Sequence, residues 1–199
     1  VEHPVTEMIT GLDLVACQLA IGAGATLDHL GLGETPAYRG FAAQARVNLE
    51  TLDEEGNVKP QGGTLTGYTP PTGPGVRVDG WGEVGLRPSP RYDSLLAKVI
   101  THSATGSYTQ ALGKLEAALG RFDLRGIEST LPLLRALLRD PAVQENRIDT
   151  TYVERNAQAL VAVAETLKPA PRAEENALEA AASVALSTGD IALPAPMQG

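Results

Sequence analysis

Apolar residues recur at steps of three and four from Val5 through Met8, Ile9, Leu12, Val15 and Leu19, the spacing of one helix face. Pro4 precedes this stretch and Gly22, Ala23 and Gly24 close it, which predicts one helix over residues 5–21. Cys17 falls inside it and reads as a small core residue. Over residues 39–50 the period changes to two. Phe41, Ala43, Ala45, Val47 and Leu49 point one way; Gln44, Arg46, Asn48 and Glu50 point the other. That is a strand with a small apolar face and a polar face crowded with functional groups. Residues 53–57 then read as a solvated loop.

Two short strands are expected at 64–68 and 75–79, within a stretch dense in Gly, Pro and Thr. The apolar run at 92–102 fits a buried strand better than a helix. Tyr108, Ala111, Leu112, Leu115, Leu119 and Phe122 define the next helix. Ile127, Leu131, Leu134 and Leu138 define another, stopped by Asp140 and Pro141. A last helix is expected over about 152–167. Lys168, Pro169, Pro171 and Arg172 then break the chain as a stiff linker. An Ala-rich helical stretch follows, and residues 190–199 read as the start of another domain. Helix, then strands that pair through short turns, then helices: the expected class is α+β, an antiparallel β-sheet with packed helices followed by a helical linker.

Composition narrows the function classes. The 199 residues carry a net charge of −8 with a pI near 4.9. That balance speaks against nucleic acid and against an anionic membrane surface as partner. Cys17 is the single cysteine, so no disulfide framework forms, and a reducing compartment, the cytoplasm, is expected. No apolar run approaches the roughly 20 residues of a membrane helix. A phosphate loop is the tempting reading of the glycines, but no Gly-Lys-Ser/Thr occurs, and turns are the better account. From the residues alone, Arg46 fits either a solvent-exposed strand edge or an anion site. Glu2, so near the first residue, reads as a loose end.

Several segments resemble, in order, the biotin carboxylase family of ATP-grasp ligases. The opening Val1-Glu2-His3-Pro4-Val5-Thr6-Glu7-Met8-Ile9-Thr10-Gly11 is the first. Gly40 to Asn48 resembles the family's Gly-His-Ala-x-x-x-Arg-Ile-Asn strand. Gly75-Val76-Arg77 resembles its Gly-Val-Arg turn, and Tyr92-Asp93-Ser94 its Tyr-Asp-Ser segment. Arg125 to Thr130 and Asp149 to Tyr152 follow, so the resemblance covers about residues 1–155. Ala195-Pro196-Met197-Gln198-Gly199 resembles the first strand of a biotinyl carrier domain. The implied layout is a biotin carboxylase C-terminal lobe over 1–167, a linker over 168–189 and a carrier strand over 190–199. The middle of the chain looks most like the fused acyl-CoA carboxylases, as part of a longer enzyme cut beside its active site.

The resemblance implies a reaction in which ATP activates bicarbonate as carboxyphosphate and carbon dioxide passes to N1 of biotin. It puts Glu2 in the place of the base, the Val1 amide and Arg46 against bicarbonate, and Arg46 against the developing biotin oxyanion. Asp93 and Arg77 fall at supporting or subunit-interface positions. Biotin on a carrier domain, ATP and magnesium are the implied cofactors, with the nucleotide and magnesium ligands upstream; no metal ligand is assigned in this chain. The implied partners are the upstream ATP-grasp lobe, the biotinyl carrier and carboxyltransferase domains, and a second copy of the enzyme. Phe41 stands where the family has His, Gln44 where it has an acid, and Thr150 departs from an apolar adenine contact. The chain alone is expected to be inactive. Two other readings stay open: a docking or dimerisation lobe without chemistry, and an ATP-grasp ligase with another substrate.

Overall fold

The helix expected over 5–21 is two helices, α1 (Val5–Thr10) and α2 (Leu14–Gly22). Gly11 ends α1 in the left-handed region, φ 74°, and donates its N–H to the Glu7 carbonyl. Only glycine adopts that conformation without cost. Asp13 is extended and its side chain accepts the Ala16 N–H at 2.8 Å, which starts a new helix in a new direction. The three-four spacing runs straight across this break, so periodicity alone cannot see it. The break also removes the expected core face. No residue of α2 is buried, Val15 is 42% exposed and Leu19 71%, and Cys17 is only half-buried.

The computed structural model describes residues 2–89 and 91–169. Residues Val1–Leu167 form one compact unit. The expected linker beyond Pro169 and the expected carrier strand lie outside the described residues.

The alternating segment forms β1 (Phe41–Asn48). Gly40 turns the chain into it with φ 68°, where a Cβ would strike the Ser103 carbonyl. Two short strands, β2 (Glu50–Leu52) and β3 (Val58–Pro60), pair around the loop that the sequence marked. The strand expected at 64–68 lies later, as β4 (Gly67–Thr69). Then come β5 (Val76–Gly80) and β6 (Leu95–Ser103), the latter confirming the strand reading of the apolar run. The main sheet is antiparallel in the order β1-β6-β5.

Helix α3 (Tyr108–Gly120) begins at Ser107, whose side chain accepts the Gln110 N–H while Gln110 reaches back to the Ser107 N–H. Strand β7 (Asp123–Arg125) pairs with β4. Helix α4 (Leu131–Arg139) starts later than expected, leaving Ile127 in the preceding turn. The short α5 (Pro141–Gln144) follows Asp140. The final helix is split at Asn156 into α6 (Tyr152–Arg155) and α7 (Ala157–Leu167). Among the described residues, no helix is long and apolar enough to cross a membrane.

The α+β class holds, and the sheet's two faces explain it. Ala45, Val47, Ala97 and Val99 face α3, where Leu112, Leu115, Ala118 and Leu119 close the core. Burying each of the larger side chains contributes about 1.5–3 kcal/mol. The other face is polar and carries α1. Register aligns Arg46 with Lys98 and Lys98 with Asp79, so β1, β6 and β5 each present a charge in one row.

Two outcomes are expected for stability. Leu115→Ala empties a fully buried site, so denaturant unfolding should show a loss of about 2–5 kcal/mol. Glu116 ties α3 to α4 by accepting from Arg139 at 2.7 Å and Arg135 at 3.0 Å. Burial opposes its ionisation, but Arg139 and Arg135 outweigh burial and hold the carboxyl below its ordinary value. A carboxyl depressed on folding stabilises at neutral pH and loses that effect as pH falls through its folded value. Glu116→Gln should therefore lower the midpoint at pH 7, with variant and wild type converging as pH falls below about 4.

Candidate functional site

Arg46 stands on the polar face of β1, and its Nη1 donates to Glu2 Oε1 at 3.2 Å. Both are open to solvent, the side chains 40% and 69% exposed. The contact joins Glu2 to a strand residue 44 positions along the chain. His3 Nε2 lies 3.9 Å from the same carboxylate oxygen. Val1, expected to offer a backbone amide here, lies outside the described residues.

The backbone under Arg46 is fixed by Thr130, at the start of α4. The Thr130 hydroxyl donates to the Arg46 carbonyl at 3.3 Å and accepts the Asn48 N–H at 3.0 Å; the Thr130 N–H donates to the Asn48 carbonyl at 2.9 Å. A hydroxyl spent on the strand does not cap its own helix, and Thr130 makes no side-chain cap bond. These bonds close the outer edge of β1 where Arg46 emerges. The polar row continues beyond Arg46. Asn48 Nδ2 donates to Glu50 Oε1 and to Ser94 Oγ, each at 3.1 Å, and Ser94 donates to Glu50 Oε2 at 2.8 Å. The buried oxygens Gln44 Oε1 and Asn48 Oδ1, on either side of Arg46, have no hydrogen-bond donor among the described residues. A cavity of about 190 Å³ opens between Arg46, Asn48 and Glu50 on the strand side and Leu134, Val153 and Leu160 on the helix side.

The other expected site residues make contacts of their own. Asp93 accepts the Leu95 N–H at 3.0 Å and so starts β6. Arg77 turns inward: its Nε and Nη2 grip Asp79 at 2.7 and 2.8 Å, and its Nη1 donates to Glu7 at 2.6 Å. Phe41 and Thr150 are exposed. Two contributors escaped the sequence. Glu7 is charged yet buried on α1, and nothing in its spacing marks it. Thr130 had a signal, a Ser-Thr pair before an apolar run, but that pattern predicts a helix cap rather than a bond to a strand.

Chemically, the pair sets a carboxylate beside a permanent cation at a solvent-accessible lip. A guanidinium holds a planar anion through paired N–H donors and stays charged at any working pH. A carboxylate within hydrogen-bond reach of that anion can take its proton. Among the described residues, no group of three or more His, Cys, Asp or Glu is placed to hold a metal ion.

Residues 44–155 match the family model of the Biotin carboxylase C-terminal domain, and residues 1–30 match that of the Carbamoyl-phosphate synthase L chain, ATP binding domain. A pyruvate carboxylase of Komagataella pastoris is 41% identical over 156 residues, which is 77% of this chain and 13% of that protein. Biotin carboxylase 1 of Bacillus subtilis (strain 168) is 37% identical over 154 residues, 77% of this chain and 33% of that protein. The solved structure of a single-chain, multi-domain long-chain acyl-CoA carboxylase matches with a TM-score of 0.76 at 43% identity, over 86% of this chain and 18% of that one. The chain thus spans a third or less of each of these relatives. The domain model covers the strand that carries Arg46, the Asp93 turn and the helices packed behind them, and the chain belongs to the biotin carboxylase family through this C-terminal domain.

Proposed function

We propose that this chain serves as the C-terminal part of a biotin carboxylase, in which ATP and bicarbonate carboxylate N1 of carrier-bound biotin. The observation that carries this reading is the Glu2–Arg46 pair, a base beside a fixed cation at 3.2 Å. Glu2 takes the bicarbonate proton, and Arg46 holds the resulting anion. Arg46 then stabilises the negative charge that develops on the biotin ureido oxygen as N1 becomes nucleophilic. Val1, through its amide, is the proposed third bicarbonate contact. Nucleotide and magnesium handling fall to residues outside this set.

The partners follow from what this chain leaves uncovered. Helix α2 is apolar except for Gln18 and buries none of its residues, and it lies in the segment that matches an ATP-binding domain. The remainder of that ATP-grasp lobe is the proposed cover. A biotinyl carrier and a carboxyltransferase domain complete the multidomain enzyme, which works as an oligomer. We assign the carboxyl acceptor to the acyl-CoA class, on the 43% identity to the long-chain acyl-CoA carboxylase; the 41% identity to a pyruvate carboxylase supports a 2-oxo acid as the second reading.

In a complete biotin carboxylase carrying this chain, Arg46→Ala should slow carboxybiotin formation by about 10²–10³, the scale of losing one preorganised donor. A near-wild-type rate would remove Arg46 from the site. The 199-residue chain alone should show no bicarbonate-dependent ATP hydrolysis, because positioning and electrostatic preorganisation supply most of the acceleration. Turnover in a phosphate-release assay would overturn the assignment of the nucleotide machinery to residues outside this chain.

A further inference from the structure

Helix α1 is six residues long and lacks a side-chain N-cap bond. A helix that short does not hold itself in place; tertiary contacts must. It lies against β1 and β6 on the polar face of the sheet and meets two arginines. The stretch just before it offers Glu2 to Arg46 on β1. Its own Glu7 reaches Arg77 on β5, at the far side of the same three-stranded sheet.

The two contacts differ in kind. Glu2–Arg46 is exposed, at 3.2 Å, and such a pair does little to fix a backbone. Glu7 is 8% exposed, and both its oxygens are used. Oε2 accepts from Arg77 at 2.6 Å, and Oε1 accepts the Leu14 N–H at 2.8 Å, the first residue of α2. Arg77 is itself pre-set by a two-pronged grip on Asp79, two residues along its own strand. Asp79 first, then Glu7, raise the Arg77 pKa above its ordinary value, so the charge stays in place at every working pH. Pro4, between Glu2 and α1, is fully buried, and the Ile9 carbonyl accepts the Arg39 N–H at 2.8 Å. The chain from Pro4 to Leu14 is thus seated on the sheet, and Glu2 inherits that seat.

We propose that Glu7, Arg77 and Asp79 form a positioning clamp that sets the Glu2 carboxylate at hydrogen-bond distance from Arg46. This deepens the carboxylase reading and rests on it. Glu7 and Arg77 touch no reacting atom; they act through Glu2. The clamp gives Arg77 an internal task, with its side chain still 35% exposed.

The test is a double-mutant cycle in a complete biotin carboxylase carrying this chain. Glu7→Gln should lower kcat/KM for bicarbonate by about 10²-fold, the cost of misplacing a reacting group by about 1 Å. In a Glu2→Gln background the same substitution should cost less than about threefold, because no base remains to be positioned. Equal losses in both backgrounds would overturn the proposal and leave Glu7 a scaffold residue. A near-wild-type rate for Glu2→Gln alone would overturn the carboxylase reading itself, a distinguishable failure. Where Glu7→Gln does not fold, Arg77→Lys keeps the charge but cannot grip Asp79 and Glu7 together, and it should reproduce the Glu7→Gln pattern of losses in the two backgrounds. An Arg77→Lys enzyme with wild-type kcat/KM would also overturn the clamp.

Discussion

The pairing of β1 with β6, from Phe41 opposite Ser103 to Asn48 opposite Leu95, fixes both the core and the site. Side chains alternate across a strand, so one register decision sends Ala45, Val47, Ala97 and Val99 toward α3 and Arg46 and Lys98 to the opposite face. A slip of one residue would bury Arg46 against α3 and expose the valines. The burial of the small apolar face therefore holds the guanidinium outward. Thr130 reinforces this by closing the outer edge of β1 at Arg46 and Asn48.

The polar face divides its charges by burial. Near the lip, Glu2 and Arg46 meet in water, where an ion pair is weak and its groups stay available to an incoming anion. Under α1, the buried Glu7 meets Arg77 and Asp79, whose side chains remain 35% and 28% exposed. There a broken pair leaves a buried charge uncompensated, so the arrangement is specific rather than adaptable. In the proposed clamp, the buried Glu7 seats α1, and the stretch just before that helix brings the exposed Glu2 to Arg46.

Much of this fold could be read from the chain. The alternation from Phe41 to Leu49 gave a strand, the apolar run ending at His102 gave its partner, and the leucines at 112, 115 and 119 gave the helix that covers them. Errors fell where a local device interrupts a regular pattern. Gly11 and Asp13 break a helix whose apolar spacing continues unbroken, and Asn156 splits another. The proposed site was half legible. Arg46 and Glu2 stood out through segments that resemble a family, while Glu7 looked like any surface acid, because burial is not encoded in spacing.

The order of the sequence settled the alternating strand, its polar and apolar faces, the α+β class and the family, because each is carried by contiguous residues or a short period. Only the tertiary structure decided that Glu2 meets Arg46 across 44 residues, that Arg77 turns inward to Glu7, and that α2 leaves its apolar sides open. Those facts depend on which surfaces the folded sheet brings together, and no local pattern records a distance between residues far apart in the chain.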